Sequence, residues 1–403
     1  MKILIALSFS PYPVRRGTDR LIVNLIRGLL PRNEVRLVTM VLDRERISGL
    51  REFEGEGLTV DAMVAPHRRS FLHKVFFKIR NTVKSILSGI PVQTLYAAPR
   101  DYLNLVAETA RRWNADLTIV NYWHLYRIAG MLEGRETVLL THDLDFINCQ
   151  DRIESATGWL RKAATGYRCR IGSETELKAY RSFEKIMTVT EKEADELRGY
   201  LGSPGKKIAA LPMAMDLERF DSVGVQREKD RILIMGVFYS DFNRDSLLYF
   251  LDEIFPDIIA SREKVNLEIV GPGVPRRLME RGAENMLVRG RVDNVIPFLK
   301  RCSVMVLPLR YAGGVRIRML EAAAAGIPVV STSTGVKGLE LRSGREYIRA
   351  DDPSEFAGAV VKILEDRKLA EKIGNGARRW AEKNISLASY PRRLESVLRD
   401  ILD

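Results

Sequence analysis

The sequence has few residues that bind metals or form disulfides: three cysteines and four histidines in 403 residues. The cysteines, Cys149, Cys169 and Cys302, are too far apart along the chain for a CxxC pair or a disulfide framework. The histidines make no HExxH or similar ligand cluster, which argues against a structural zinc. A reducing cytoplasm is the simplest compartment for such a chain.

Long hydrophobic runs are also missing. No uninterrupted apolar run approaches the ~18–20 residues that cross a bilayer. The amino-terminal stretch MKILIALSFSPYP has one lysine and no A-x-A cleavage signal, so it predicts a first strand rather than a signal peptide.

Acidic residues are fewer than basic ones: 52 Asp and Glu stand against 64 Lys and Arg, a net charge of +12. This balance favours an anionic partner, which could be nucleic acid, a phosphorylated ligand or an acidic membrane surface. Charge alone does not choose among the three. The composition is otherwise that of a globular protein, and the length suits two or three domains.

Short β-branched runs alternate with segments of helical period. Strands are predicted at residues 2–7, 35–41, 58–64, 117–121, 137–141, 185–189, 206–211, 231–236, 266–270, 303–307 and 328–331. Helices are predicted between them, for example at residues 19–30, 102–113, 191–201, 245–254 and 316–325. This alternation predicts an α/β fold with two doubly wound parallel sheets, each in a Rossmann-like domain.

The Gly/Ser/Pro cluster LGSPGKK at residues 201–207 marks the predicted domain break. We therefore expect an amino-terminal domain at residues 1–203 and a carboxyl-terminal domain at residues 204–386. The last segment, residues 387–403, has the pattern of an amphipathic helix that packs back on the first domain. Ligands of parallel sheets bind at the carboxyl ends of the strands, so two facing domains would form a cleft there.

Two positions in the first domain follow predicted strands. Gly17 precedes a helix whose free N–H groups would favour an anion or a hydroxyl, although a plain βα turn explains it equally well. His142 follows the strand TVLL and could donate to a sugar hydroxyl or a phosphate. A loop histidine with an internal hydrogen bond is the alternative.

The most informative stretch is LPLRYAGGVRIRMLEAAAAGIPVVSTSTG, at residues 307–335. Gly313, Gly314 and Val315 lead into a helix and would offer backbone N–H groups to a phosphate. Arg316 and Arg318 add positive charge at the same end. Glu321, on the first turns of the helix, could accept two hydrogen bonds from a ribose diol. The alternative, a helix with an Ala-rich packing face, explains residues 322–325. It does not explain the two glycines followed by two arginines and a glutamate.

The segment resembles the nucleotide-sugar site of GT-B fold glycosyltransferases of family GT4, the type named for the glycosyltransferase family 1 carboxyl-terminal domain. In that family a Glu-x7-Glu motif precedes an Ala-rich turn and Gly-x-Pro-Val-Val. Glu321 matches the second Glu, and Gly313 stands in the place of the first. The sequence is therefore similar to the branch that reads Gly-Gly-x-Arg-x-Lys-x-Leu-Glu-Ala, with Arg318 in the Lys position.

Other landmarks of the family follow in order along the chain. GVFYSDFNRDSLLYFL is similar to the opening turn of the second domain, with Gly236 near the donor and Asn243 and Arg244 just beyond. VRGRVDNV is similar to the stretch whose backbone, here at Arg291 and Val292, meets the nucleobase. SPYPVRRGTDRL and THD are similar to the first-domain glycine loop at Gly17 and the cleft histidine at His142.

The resemblance implies a retaining, metal-independent enzyme that takes a UDP- or GDP-sugar as donor and needs no cofactor. Cleavage of the glycosyl–phosphate bond develops charge on the β-phosphate, which fixed N–H groups and arginines stabilise in place of Mg²⁺. His142, Arg316, Arg318 and Glu321 are the predicted catalytic residues. Donor binding is assigned to Gly17, Gly236, Arg244, Arg291, Val292, Gly313, Gly314 and Val315.

A basic segment in the first domain suggests where an acceptor binds. Residues 62–100 carry seven Lys or Arg and no acid, and within them residues 67–87 place Phe71, Val75, Ile79, Val83 and Ile86 on one helical face. This pattern is typical of a helix in an anionic membrane interface, and a buried helix with a basic rim is the alternative. Together with the resemblance it favours a lipid-linked or surface-polysaccharide acceptor and a peripheral position on the inner face of the cell membrane.

Two other functions compete. A sugar-nucleotide epimerase would need acid/base carboxylates and histidines across the cleft, which residues 313–321 do not suggest. A nucleic-acid-binding protein should show a basic and aromatic module or a recognition helix, and the sequence contains neither. Nucleic acid is therefore not an expected partner.

Overall fold

The computed structural model describes residues 1–14, 17–43, 45–51, 54–55, 57–66, 71–147, 149–154, 158–202, 205–211, 213–221, 227–275, 278, 285–311 and 314–403. Gly313, the predicted domain break at 203/204 and the first four residues of the basic segment 67–87 lie outside these residues. The chain divides into two compact units: residues 1–213 with 390–403, and residues 214–389.

The first unit is a seven-stranded parallel sheet with helices between its strands. Its strands are β1 (Lys2–Leu7), β2 (Glu34–Val41), β3 (Leu58–Val64), β4 (Leu117–Asn121), β5 (Thr137–Leu140), β6 (Lys185–Thr188) and β7 (Lys207–Ala210). Its helices are α1 (Gly17–Leu29), α2 (Glu45–Arg51), α3 (Phe71–Ser88), α4 (Val92–Ala97), α5 (Arg100–Arg112), α6 (Ile128–Met131), α7 (Cys149–Glu154), α8 (Trp159–Ser182) and α9 (Glu191–Leu201).

The second unit is a six-stranded parallel sheet built in the same way. Its strands are β8 (Arg231–Met235), β9 (Asn266–Val270), β10 (Met286–Gly290), β11 (Val304–Leu307), β12 (Val329–Ser331) and β13 (Ile348–Arg349). Its helices are α10 (Glu218–Asp221), α11 (Asp241–Tyr249), which continues through a π-helical turn (Phe250–Ile254) into α12 (Phe255–Ser261), then α13 (Ile296–Arg301), α14 (Ile317–Ala324), α15 (Pro353–Glu365) and α16 (Arg367–Asn384).

In both sheets the order in which successive strands are added reverses at one point, as in other doubly wound sheets. The strand orders are β3-β2-β1-β4-β5-β6-β7 and β10-β9-β8-β11-β12-β13. The switch points lie between β1 and β4 and between β8 and β11, and the carboxyl ends of these strands define the places where ligands bind. The predicted doubly wound, parallel α/β architecture is confirmed.

The first unit extends past the predicted break because β7 pairs with β6, from Lys185↔Lys207 to Thr188↔Ala210. The strand predicted at 206–211 therefore belongs to the first sheet, and the division between the units lies at 213/214 rather than at 203/204. Backbone pairing decides this, and nothing in the local sequence of β7 says which sheet it joins.

The last helix, α17 (Tyr390–Leu402), packs on α1 in the first unit. Its Tyr390 ring lies so close to Gly28 that a Cβ atom there would come within 2.8 Å of the ring. Arg32 and Glu395 form an ion pair across the same contact. The small residue on α1 thus allows the two helices to approach closely.

A buried glutamate joins several parts of the second sheet. Glu268, in the middle of β9, is fully buried and pairs with Arg231, Arg289 and Arg301. A buried carboxylate is tolerated only where cations and hydrogen bonds compensate its lost hydration. Three of the chain's many arginines are therefore used inside the fold rather than for an anionic partner.

Candidate functional site

The carboxyl ends of β8, β9 and β10 carry glycines that lie against one another. The N–H group of Gly271, which follows β9, donates to the carbonyl of Gly290 at 2.7 Å. A Cβ atom on Gly271 would lie 1.8 Å from the carbonyl oxygen of Gly236, which follows β8. No side chain fits at Gly271, so only backbone atoms of these glycines meet at this edge of the sheet.

Arg318 lies at the same edge, beside the switch point. Its guanidinium donates to the carbonyl of Met235, the last residue of β8, and to Oδ1 of Asn243 on α11. A Cβ atom on Gly236 would lie 3.0 Å from Nη1 of Arg318, so the two residues touch. Burial, together with the charge of Arg316, lowers the pKa of Arg318 to about 10, and the side chain stays protonated at neutral pH.

Arg316 is placed differently from Arg318. Helix α14 begins at Ile317, one residue after the predicted start, and Arg316 precedes it with an extended backbone. Its Nε and Nη2 atoms donate to the carbonyl of Gly314 at 3.2 and 2.7 Å, and its guanidinium lies over the Phe242 ring. Gly314 has a φ of +66°, a conformation that favours glycine. The Arg316 guanidinium therefore braces the loop before the helix.

Glu321 is on the second turn of α14 and is only 7% exposed. Its carboxylate raises the pKa of Arg318 and partly offsets the effect of burial, so the two side chains are electrostatic neighbours. The glutamate, the arginine and the Gly236 backbone thus occupy one region of the second unit. Val315, in the loop before the helix, is half-buried.

The remaining predicted donor residues are spread more widely. Arg244, on α11, is half exposed and pairs with Asp241 at 2.6 Å. Arg291 is exposed and Val292 half-buried, and both follow the edge strand β10, two strands away from β8. Asn243, which the resemblance placed just beyond Gly236 without a role, is buried in the first turn of α11 and holds Arg318.

In the first unit, His142 lies beside the end of β4. Its Nε2 atom makes a 2.6 Å hydrogen bond with Oδ1 of Asn121, the last residue of that strand. Burial lowers the pKa of His142 to about 4, so the ring is neutral at pH 7. Since the amide oxygen can only accept, Nε2 carries the proton and Nδ1 carries the lone pair. Within the described part of the chain, Nδ1 has no hydrogen-bond partner.

Sequence reasoning missed a buried acidic network next to His142. Tyr122 donates to Asp145, whose backbone N–H donates to Glu176 at 2.9 Å, and Tyr180 donates to the same Glu176 oxygen at 2.8 Å. Burial, reinforced by the charge of Asp145, raises the pKa of Glu176 to about 8. The Tyr122 and His142 rings lie 6.0 Å apart, so the network reaches the histidine. The one sequence signal was Glu176 and Tyr180 four residues apart on α8.

The first-unit glycine loop is described only in part. Helix α1 begins at Gly17, as the sequence predicted within two residues. Among the described residues, no group of three or more His, Cys, Asp or Glu side chains is arranged to hold a metal ion. No helix in the described ranges is both long and apolar enough to cross a membrane.

Comparisons with known proteins agree with this geometry. Residues 229–366 match the family model of glycosyl transferases group 1. A D-inositol 3-phosphate glycosyltransferase of Streptomyces bingchenggensis is 24% identical over 293 residues, which cover 66% of this chain and 63% of the relative. A GDP-mannose-dependent monoacylated alpha-(1-6)-phosphatidylinositol monomannoside mannosyltransferase of Corynebacterium glutamicum is 27% identical over 169 residues, 39% of this chain and 43% of the relative.

A solved structure shows the same fold over nearly the whole chain. The Anabaena protein HepE in complex with UDP and glucose superposes with a TM-score of 0.65 and 12% identity, covering 99% of both chains. The sequence match to the first curated relatives is shorter and spans less than two thirds of their length. The predicted resemblance is therefore confirmed at the level of the family model and the fold: residues 229–366 match glycosyl transferases group 1, and the chain has the fold of the GT-B glycosyltransferases.

Proposed function

We propose that the protein is a retaining, metal-independent glycosyltransferase that moves a sugar from a nucleoside-diphosphate sugar to a lipid-linked or surface-polysaccharide acceptor. The observation that carries the proposal is the contact of Arg318 with the bare glycine edge at Gly236, inside a group 1 domain. A charged guanidinium beside the half-buried backbone of Gly236 suits a diphosphate leaving group. The names of the relatives, an inositol-phosphate glycosyltransferase and a GDP-mannose-dependent mannosyltransferase, support the reaction class.

In the proposed mechanism, the leaving group departs toward Arg318. Negative charge develops on the β-phosphate as the glycosyl bond breaks, and a preorganised cation stabilises that charge without reorganisation. Glu321, buried next to Arg318, holds the ribose hydroxyls, and the N–H groups of Gly314 and Val315 complete the phosphate site. Fixed arginine charge thereby does the work that Mg²⁺ does in other transferases.

His142 contributes as a neutral group in this mechanism. With its proton fixed on Nε2 by Asn121, the ring presents the Nδ1 lone pair as an acceptor. A neutral acceptor suits a sugar hydroxyl, because the hydroxyl can donate its proton to Nδ1. An ionised phosphate oxygen has no proton to donate, so it cannot form a hydrogen bond with this nitrogen. We therefore assign His142 to a hydroxyl of the donor sugar.

The exposed face of α3 supports a membrane-bound acceptor. Along this helix the side chains turned toward solvent are largely apolar and 41–82% exposed: Val75, Phe76, Ile79, Val83, Ile86 and Leu87. The side chains turned inward include Phe77, Asn81 and Ser85, so the buried face is the more polar one. The alternative of a buried helix with a basic rim does not fit this arrangement.

The lysines on α3 indicate which surface the apolar face would meet. Lys78, Arg80 and Lys84 are exposed around it, and residues 62–100 contain no acid. Apolar side chains next to cations bind a bilayer that carries anionic lipids. We propose that α3 lies in the interface of such a bilayer on the cytoplasmic face of the cell membrane. The mannosyltransferase relative, whose name includes an acylated phosphatidylinositol glycoside, supports this choice of acceptor.

The function is tested with a panel of UDP- and GDP-sugars incubated without acceptor, with and without EDTA. Release of the nucleoside diphosphate from one donor, unchanged by EDTA, is the expected result. Addition of a polyprenyl-diphosphate-linked sugar should give a glycoside with the donor's anomeric configuration, read from its proton coupling constant. Conversion of a donor to its epimer, or retention on oligonucleotides at physiological salt without donor cleavage, would reject the proposal.

A further inference from the structure

The first unit contains a second pocket that the proposed transfer mechanism does not use. It has a volume of about 600 Å³ and lies between α3, the amino-terminal turns of α5, and α6. All the residues that line the pocket belong to the first unit. The residues around it are of three kinds: cations, carboxamides and apolar side chains.

Four cations line this pocket and no acid does, as far as the described residues show. They are Arg80, Lys84, Arg100 and Arg127. None of the four has a carboxylate within ion-pair distance among the described residues, whereas exposed arginines elsewhere, such as Arg170, Arg244 and Arg367, are paired. Four unneutralised charges around one cavity make a site for an anion.

Two buried donors in the pocket wall point to the same conclusion. Asn81 is 2% exposed, and its Nδ2 atom has no acceptor among the described residues. The Nε atom of Arg127 is also buried without an acceptor, while its Nη2 atom donates to the carbonyl of Ala98. Buried donors are nearly always satisfied in native proteins, so an unpaired amide and an unpaired guanidinium N–H in one pocket indicate a missing acceptor.

The backbone adds further donors. Helix α5 begins after Pro99, which supplies no side-chain cap, and Arg100, Leu103 and Asn104 from its first turns line the pocket. The first N–H groups of an uncapped 13-residue helix favour negative charge. This helix end, the unpaired amide and the cations all face one cavity.

The rest of the lining is apolar. Leu95, Leu103 and Met131 contribute to the wall, and Leu95 and Leu103 are buried. A site for a free inorganic anion would need no such wall. The combination suits a ligand that joins a phosphate to a hydrophobic chain.

We propose that this pocket binds the phosphate group of an amphiphilic ligand, with Asn81, Arg127 and Lys84 as donors and the apolar wall against the first carbons of its chain. Helix α3 contributes Lys84 to the pocket and its apolar face to solvent, so one helix would present both to a lipid. That this amphiphile is the acceptor rests on the proposed function, whereas the binding itself does not.

The experiment is isothermal titration calorimetry of the full chain, without nucleotide sugar, using dihexanoyl phosphatidic acid below its micellar concentration. The expected result is saturable binding, with inorganic phosphate and dihexanoyl phosphatidylcholine binding about tenfold more weakly or not at all. The variants Asn81→Leu and Lys84→Gln should each weaken binding by about tenfold. Lys84 is exposed, so its variant stays informative even where Asn81→Leu unfolds the unit. Lys78→Gln removes the same charge from the same helix outside the pocket and should leave binding of this soluble lipid unchanged.

Any one of four results would overturn the proposal. Absence of heat with wild-type protein, or equal heat with the choline lipid, means that the pocket does not select a phosphate monoester. An equal loss in Lys78→Gln and Lys84→Gln means that the general charge of α3 attracts the lipid. Inorganic phosphate that binds as tightly as the amphiphile removes any role of the apolar wall and rejects the amphiphile. All four are read without transferase activity, so failure of the proposed function does not decide them.

Discussion

The Nε2 atom of His142 donates to Oδ1 of Asn121 at 2.6 Å, across the ends of two neighbouring strands. This bond selects one tautomer of a buried, neutral imidazole and leaves Nδ1 as its acceptor. Asn121 is therefore a positioning residue for His142. Neither residue can be assigned this role from the sequence, because 20 residues of chain separate them.

Asn121→Ala should release the His142 ring from this tautomer. With the amide oxygen gone, both ring nitrogens compete for the proton, and the ¹⁵N signals of His142 at pH 7 should move toward averaged values. Asn121→Asp should instead raise the pKa of His142 above about 4, since a neighbouring negative charge favours the imidazolium. Thr94→Val is the control, because Thr94 bonds to His124 and not to His142. Unchanged His142 signals in Asn121→Ala would contradict the assignment.

Arg318→Ala should mainly lower turnover. Loss of the guanidinium removes charge stabilisation of the leaving diphosphate, and we expect kcat to fall by about 10²–10³-fold with a smaller change in KM. Asn243→Ala keeps the charge but frees the side chain, so its kcat should fall less. Steady-state kinetics of donor hydrolysis measure both. Arg367→Ala, which removes an exposed arginine paired with Glu371 on α16 of the same unit, is the matched control for overall charge. A kcat for Arg318→Ala that equals that of wild type would remove Arg318 from the site.

Glu321→Ala should weaken nucleotide binding more than it lowers turnover. The carboxylate is the proposed acceptor for two ribose hydroxyls, and hydrogen bonds to a charged group contribute about 1.5–3 kcal/mol. The dissociation constant of UDP or GDP, measured by calorimetry, should therefore rise by about tenfold or more. The same titration with a 2′,3′-dideoxy nucleotide should show little difference between wild type and variant. A difference that persists with the dideoxy compound would place the effect of Glu321 elsewhere.

Glu176 should make the first unit less stable as the pH rises. Its pKa is about 8 in the folded protein, above the ordinary value of 4.5, so the folded state holds a proton that the unfolded state has lost. The stabilisation is complete below pH 4.5 and disappears as the pH rises through about 8. Glu176→Gln keeps the acceptor for Tyr180 and carries no charge. The difference in the free energy of unfolding between this variant and wild type should therefore be about 2–4 kcal/mol more in favour of the variant at pH 8 than at pH 4.5.

Urea denaturation at several pH values measures this gain. Glu174→Gln, on the exposed side of the same helix, should follow the wild-type pH dependence because its carboxylate is exposed to solvent and forms a surface ion pair with Arg170. Parallel pH profiles for wild type and Glu176→Gln would show that the Glu176 carboxyl is not held protonated by the fold.

The exposed apolar face of α3 should be required for binding to anionic vesicles. Ile79→Asp with Val83→Asp places two charges in the proposed interface, and flotation with phosphatidylglycerol vesicles should be lost. Leu160→Asp, at an equally exposed apolar position on α8, should float as wild type does. Nucleotide protection against heat should be the same in all three proteins, because the group 1 domain is in the other unit. Retention of the double variant on vesicles would reject the membrane assignment for α3.

The sequence predicted most of what is local in this fold. Strands such as β1, β4 and β9 were predicted within a residue of their observed bounds, because parallel strands buried on both faces are continuous apolar runs. The two-residue strand β13 and the edge strand β10 were missed, since their sequences carry little of this pattern.

The chemistry was less predictable than the fold. The cluster at Gly236, Arg318 and Glu321 was assigned by resemblance, and the structure adds the contact of Arg318 with Met235 and Asn243. The acidic network at Glu176 depends on contacts between residues far apart along the chain, such as the hydrogen bond from the Asp145 backbone N–H to Glu176, 31 residues away. A buried carboxyl on a helix of mixed pattern gives no periodic signal, and the spacing of Glu176 and Tyr180 on α8 does not by itself place either residue beside Asp145.

The return of α17 to the first unit has a consequence for synthesis on the ribosome. The surface around Gly28 stays uncovered until Tyr390 and the residues after it have been translated. The second unit, residues 214–389, is complete before then and can fold while the first still lacks its closing helix. Nascent chains stalled before residue 390 should therefore protect the later-made unit from proteolysis better than the earlier-made one, the reverse of the usual order.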